Sequence, residues 1–152
     1  MTSAEVLDTY RRAVDRNRET LAIYHFEPRV TVALGCPVLY LDKTHWHNRG
    51  TADVPGQIFC SIWVDDKGRT NYNIHAFKLR NLKPYKLESR KFAEAFRQQL
   101  DRDGWPNVST DFGPLTLMQG WIELTDQNLD LVIQGFGRVS RSIDDLLGQP
   151  PL

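Results

Sequence analysis

Apolar and polar positions alternate most regularly between Gln57 and Arg80, QIFCSIWVDDKGRTNYNIHAFKLR. The pattern predicts two strands joined by a short turn. Gly68 supplies the positive φ that a three-residue hairpin loop with a bulge requires. Pairing Asp65 with Arg69 sets the opposed pairs Val64/Thr70, Ile62/Tyr72, Cys60/Ile74 and Ile58/Ala76 on one apolar face, which is the expected core side. The reverse face then carries Trp63/Asn71, Ser61/Asn73, Phe59/His75 and Gln57/Phe77. Amides, a hydroxyl and an imidazole mixed with aromatics suit a ligand floor, a partner-binding surface or a layer under a helix. Ordinary sheet surface is the plainer alternative. A slip of one residue in the pairing would exchange the two faces.

Helical periodicity marks residues 3–24, where Val6, Tyr10, Ala13, Val14, Leu21 and Tyr24 recur on one side and Thr2 or Ser3 stands ready to cap. Residues 30–34 and 38–41 read as short strands separated by Gly35-Cys36-Pro37, since a proline cannot donate to a ladder. Residues 43–56 form the longest loop. A second helix is expected from residue 88 or 89 to 103, with Phe92, Ala93, Phe96 and Leu100 buried and Gly104 ending it. One short strand is expected near Val108. Residues 115–124 and 129–136 read as a second hairpin turning at 125–128. A short last helix follows at 142–147, with Ser142 and Asp145 as a cap pair and Gly148 beyond. Residues 149–152 form an expected frayed tail.

The expected fold class is therefore α+β: an antiparallel sheet of about five to seven short strands with an N-terminal, a central and a short C-terminal helix. The element order is similar to the small secretion-chaperone type of α+β fold, in order alone. Those chaperones are distinctly acidic, whereas this chain balances 19 basic against 19 acidic residues. At 152 residues one domain, 1–152, is the simplest organisation.

Neutral charge removes any global field pointing to nucleic acid or membrane. No apolar run approaches the roughly 20 residues that span a bilayer, and MTSAEVLDTYRR lacks the apolar region of a secretory signal. A cytoplasmic protein is expected, with Cys36 and Cys60 as two buried thiols in preference to a disulfide.

Candidate chemistry is sparse. His45 and His47 flank Trp46, and an extended H-x-H pair can direct both imidazoles at one metal ion. A third ligand would come from Asp42, Asp53, His25, His75 or Cys60. The competing reading is two loop histidines around an anchoring tryptophan. Cys60 and His75 fall on opposite faces of the hairpin, which argues against a nucleophilic pair. Gly135-Phe136-Gly137-Arg138-Val139-Ser140 begins like a dinucleotide fingerprint, but Ser140 occupies the third glycine's place, and strand exit into a helix accounts for the glycines. Asp65/Asp66 and Asp144/Asp145 read as turn and cap chemistry. Residues 78–97 hold seven Lys/Arg against Glu88 and Glu94. A solvated helix face with a charged linker explains this more simply than a nucleic-acid contact.

These observations favour a non-catalytic binding or protein-interaction module. Its expected ligand-binding residues are Trp63, Asn71, Asn73 and His75, and its partner a protein or a second copy of itself. The alternatives are an enzyme built on His45, His47 and His75, with or without a metal, and a nucleic-acid contact through residues 78–97. The sequence leaves the cofactor unknown.

Overall fold

The computed structural model describes residues 1–47, 56–82, 85 and 87–148. Asp53, Lys83, Pro84, Lys86 and the tail 149–152 lie outside the described residues. The elements run α1 (Ser3–Arg16), α2 (Arg18–Ile23), β1 (Glu27–Ala33), β2 (Cys36–Asp42), β3 (Gln57–Val64), β4 (Thr70–Phe77), α3 (Ser89–Gln99), β5 (Thr116–Ile122) and α4 (Asp126–Leu147). The strands form one antiparallel sheet in the order β1-β2-β3-β4-β5. The fold is α+β, as the pattern of elements implies.

The central hairpin takes the register its alternation requires. Phe59 pairs with His75, Cys60 with Ile74, Ile62 with Tyr72 and Trp63 with Asn71. The turn closes with Asp65 N–H donating to the Arg69 carbonyl and Gly68 N–H to that of Asp65, and Gly68 has φ 78°. Ile58, Cys60, Ile62, Tyr72, Ile74 and Ala76 are wholly buried on the helix side. β2 contributes Leu39 and Leu41 to the same layer. Pro37 is tolerated because β2 pairs with β3 only from Val38 onward.

The N-terminal helical stretch is two helices. Thr2 and Glu5 form a reciprocal capping box at the start of α1. The chain breaks at Asn17, whose side-chain amide donates to the Ala13 carbonyl and to Asp130 Oδ1, 2.8 Å each. α2 ends with His25 at φ 60°, its N–H reaching the Ala22 carbonyl while Phe26 N–H reaches that of Leu21. This is a Schellman closure in which histidine takes the place glycine usually fills.

The expected second hairpin does not form. Residues 126–147 are a single helix, so the C-terminal helix begins at Asp126 rather than Ser142. The run LDLVIQGF has an apolar density that suits either structure. Helix wins because Leu129, Val132, Ile133, Phe136, Val139, Ile143 and Leu147 continue at a 3.6-residue period far beyond strand length. Thr125 caps the start by accepting from Asn128 N–H at 3.1 Å, and Gly148 closes the end at φ 70°. Gly135 and Gly137 lie inside this helix, not at a strand exit. A Cβ at Gly135 would strike the Trp105 ring, and one at Gly137 the Tyr24 ring. The glycines exist to seat aromatics.

α1 lies over β1 and β2, α3 beside β5, and α4 contacts both helices. Their buried stripes close one continuous core around Tyr10, Phe96, Leu129 and Phe136. Among the described residues no helix covers the other face of the sheet. None of the helices is long and apolar enough to cross a membrane.

Tyr72 and Gly120 are direct cross-strand partners. The tyrosine ring lies over the glycine, and its hydroxyl donates to the Pro106 carbonyl at 2.5 Å. Gly120→Ala is expected to lower unfolding stability by about 1–3 kcal/mol through overpacking. Chemical denaturation measures this; an unchanged midpoint would show that Tyr72 does not occupy that space.

Candidate functional site

Two surfaces of different character arise from the residues around β2 and the loop that follows it. The first is sealed. Lys43 turns into the core and its Nζ lies 2.7 Å from Asp144 Oδ2, with the two side chains only 1% and 0% exposed. Asp144 Oδ1 accepts from Trp46 Nε1 at 2.9 Å and lies 2.6 Å from His45 Nε2. The Lys43 ammonium also sits 5.3 Å from the centres of the Phe26 and Trp46 rings. Asp144 is thus no cap residue. It is a buried acceptor that joins the loop after β2 to the last turns of α4. The hydroxyl of Tyr85 is raised in pKa by burial and, second, by the Asp144 charge. His45 is committed to this knot.

His47 goes elsewhere. Its backbone bridges to Gln57, and its ring lies with the carboxylates of Glu27 and Asp42, the three ligand atoms within 4.8 Å of one another. The H-x-H pair therefore divides between a buried carboxylate and a surface cluster. Of the other candidate ligands, Cys60 lies in the core, His75 on the far side of the sheet from Asp144, and His25 is exposed at the end of α2.

The second surface is the uncovered face of the sheet. β2 adds Val38 and Tyr40 beside Phe59, Ser61 and Trp63 of β3 and His75 and Phe77 of β4. With Cys36 and the β1–β2 turn these line a shallow depression of about 290 Å³. The rings hold one another in place: Tyr40–Phe59 centroids are 5.6 Å apart, Phe59–His75 5.1 Å and His75–Phe77 5.2 Å. At the turn Leu34 has φ 51° and is fully exposed, and Val32 is half exposed. Arg29 lies 4.7 Å over Tyr40, and Arg69 4.6 Å over Trp121, on the two flanks.

The four expected ligand-binding residues separate here. Trp63 and His75 line the depression. Asn71 and Asn73 are on the same face but buried in hydrogen bonds. Asn71 Nδ2 donates to Asp65 Oδ2 at 3.0 Å, a contact that leads the causes holding the Asp65 carboxyl below its ordinary range. Asn73 accepts from the Ser61 hydroxyl and donates to Gln119 Oε1 at 3.3 Å. Tyr40, Phe59 and Phe77 carry more of the accessible surface than the asparagines do. Only the alternation Cys36, Val38, Tyr40 signalled the first of these, and its pairing with β3 is non-local.

Cys60 and His75 are on opposite faces, and burial pushes the Cys60 thiol well up despite Lys43 acting the other way. Both cysteines are free thiols, Cys60 buried and Cys36 half-buried. In the basic stretch 78–97, Arg97 is turned onto the backbone, donating to the carbonyls of Thr116, Gly113 and Leu117 at 2.8, 2.9 and 3.1 Å. Comparison with protein-family models, curated proteins and solved structures finds no match for this chain.

Asp144→Asn removes the charge that balances buried Lys43. It is expected to cost about 3–5 kcal/mol, with partial recovery when combined with Lys43→Met. Denaturation of the single and double variants checks this, and additive losses would contradict a charge-balancing role.

Burial lowers the His75 pKa, with the Leu115 carbonyl acting more weakly the other way. The unfolded chain, near the ordinary value of about 6.5, then binds the proton more readily than the folded one. Stability from this group is complete above about pH 6.5 and declines as pH falls toward the lowered folded value. His75→Phe should therefore lose less stability than wild type between about pH 7.5 and about pH 5.5. Parallel losses in the two proteins would refute the assignment.

Proposed function

We propose that this chain is a non-catalytic binding module whose uncovered sheet face takes up an apolar segment of a partner protein. One observation carries this reading. Among the described residues no helix covers one face of the five-stranded sheet, and its centre is a contiguous set of interlocked aromatic rings around a shallow depression. Rigid aromatics give large contact area at small entropic cost, and they dominate the energetics of protein interfaces.

Charge narrows the partner. The guanidinium groups of Arg29 and Arg69 lie over the Tyr40 and Trp121 rings, so cations flank an apolar centre. A segment with apolar side chains between carboxylates complements that arrangement. Leu34 supports the same reading, because a leucine in left-handed backbone, fully exposed beside the depression, gains from being covered. The free thiols at Cys36 and Cys60 fit a reducing compartment, in keeping with a cytoplasmic protein.

The test is selection from a peptide display library on the immobilised full chain, followed by affinity measurement against variants. Phe59→Ala and Trp63→Ala are expected to weaken recovered peptides by about 2 kcal/mol each, roughly thirtyfold. Peptides that bind both variants as well as wild type would overturn the reading. So would a concentration-dependent dimer, dispersed by the same substitutions, since a second copy would then be the occupant.

A further inference from the structure

We infer that Glu27, Asp42 and His47 form a site for one divalent transition-metal ion, with Zn²⁺ as the best-matched species. The inference does not depend on the protein-binding role of the sheet face. Each ligand is placed by the backbone. Glu27 opens β1, Asp42 closes β2, and the two are direct cross-strand partners. His47 is fixed by its bridge to Gln57 at the start of β3. β1 and β2 therefore deliver one donor each, and the segment after β2 that bridges to β3 delivers the third, at the same end of the sheet.

Strand alternation puts this cluster on the uncovered face. Glu27 and Arg29 share a side, and so do Asp42 and Tyr40, and the Arg29 guanidinium lies over the Tyr40 ring. Asp42 is 7% exposed, while Glu27 is open to solvent. The site thus has one carboxylate set into the protein and one at the rim.

Glu27 and Asp42 bring two carboxylates together on adjacent strands. The imidazole makes the set selective. Two oxygens and one nitrogen suit zinc, whereas magnesium and calcium favour all-oxygen sets. Donors about 2.1 Å from a tetrahedral zinc lie roughly 3.4 Å from one another. The three ligand atoms, all within 4.8 Å of each other, need only small rotamer adjustments to reach that geometry. A supporting contact is already in place: the Thr44 hydroxyl donates to Glu27 Oε1 at 2.6 Å, orienting the carboxylate as outer-sphere partners do in metal sites. Three protein ligands leave the fourth tetrahedral position to water or to an incoming carboxylate.

The experiment is titration of Zn²⁺ into the full chain, produced without a polyhistidine tag and stripped with a chelator, followed by calorimetry. One equivalent is expected to bind, and excess Mg²⁺ is not expected to displace it. His47→Ala and Glu27→Gln should each weaken binding by about tenfold or more, while His25→Ala, at an exposed histidine that is not one of the three ligands, should leave it unchanged. Glu27→Gln serves as the fold-safe variant because its side chain is at the surface, and circular dichroism confirms the fold of each protein. Failure to bind a stoichiometric equivalent would overturn the site. So would affinity that survives both His47→Ala and Glu27→Gln, or that is lost with His25→Ala.

Discussion

A carboxylate withdrawn completely from water must find its charge and hydrogen bonds inside the protein, and Asp144 does so with Lys43, His45 and Trp46. These partners lie about a hundred positions away in the chain, 101 for Lys43. The knot therefore locks the loop after β2 to the end of α4. Lys43 is as buried as its partner, so the two charges stand or fall together. Such a pair contributes little net stability over an apolar isostere, but losing either partner leaves an uncompensated buried charge. It determines where α4 ends on the sheet, and the seating of Trp105 on Gly135 and Tyr24 on Gly137 determines how closely the helix lies.

With α4 held in this way, the long helices among the described residues pack on one side and the two faces of the sheet differ in character. Ile58, Cys60, Ile62 and Ile74 meet the helices. Tyr40, Phe59, His75 and Phe77 meet one another at the opposite surface, with Trp63 lining the same depression. Polar groups on that surface are already satisfied, Asn73 by Ser61 and Gln119, and Asn71 by Asp65. What remains accessible there is aromatic area with arginine at its flanks, and the proposed recognition role rests on it. The Glu27–Asp42–His47 cluster at one end of the same surface would give that recognition a metal-dependent edge.

The hairpin at residues 57–77 was legible because two local signals agreed: strict alternation and a glycine where the loop needs positive φ. Its register followed residue for residue. Other parts depended on contacts the chain makes only when folded. Residues 129–136 carry apolar side chains at positions compatible with both periods, and only their continuation to Leu147 and the Thr125 cap decide for helix. Asp144 looked like a terminal helix residue because nothing near it in sequence reveals a buried lysine a hundred residues away. His45 and His47 looked like a pair, yet a 3-10 turn over Thr44–Trp46 sends them to different partners. The aromatic face was half legible: β3 and β4 read directly, while Tyr40 joined them through pairing with β2 that no local pattern encodes.

The sheet has one sealed face and one open face among the described residues. Hydroxyl-radical footprinting of the free chain tests this most directly, since aromatic side chains report their own access to solvent. The account predicts modification of Tyr40, Phe59, Trp63 and Phe77, with Tyr10, Trp46 and Tyr72 protected. Protection of the first group in the monomer, or ready modification of Trp46 and Tyr72, would contradict it.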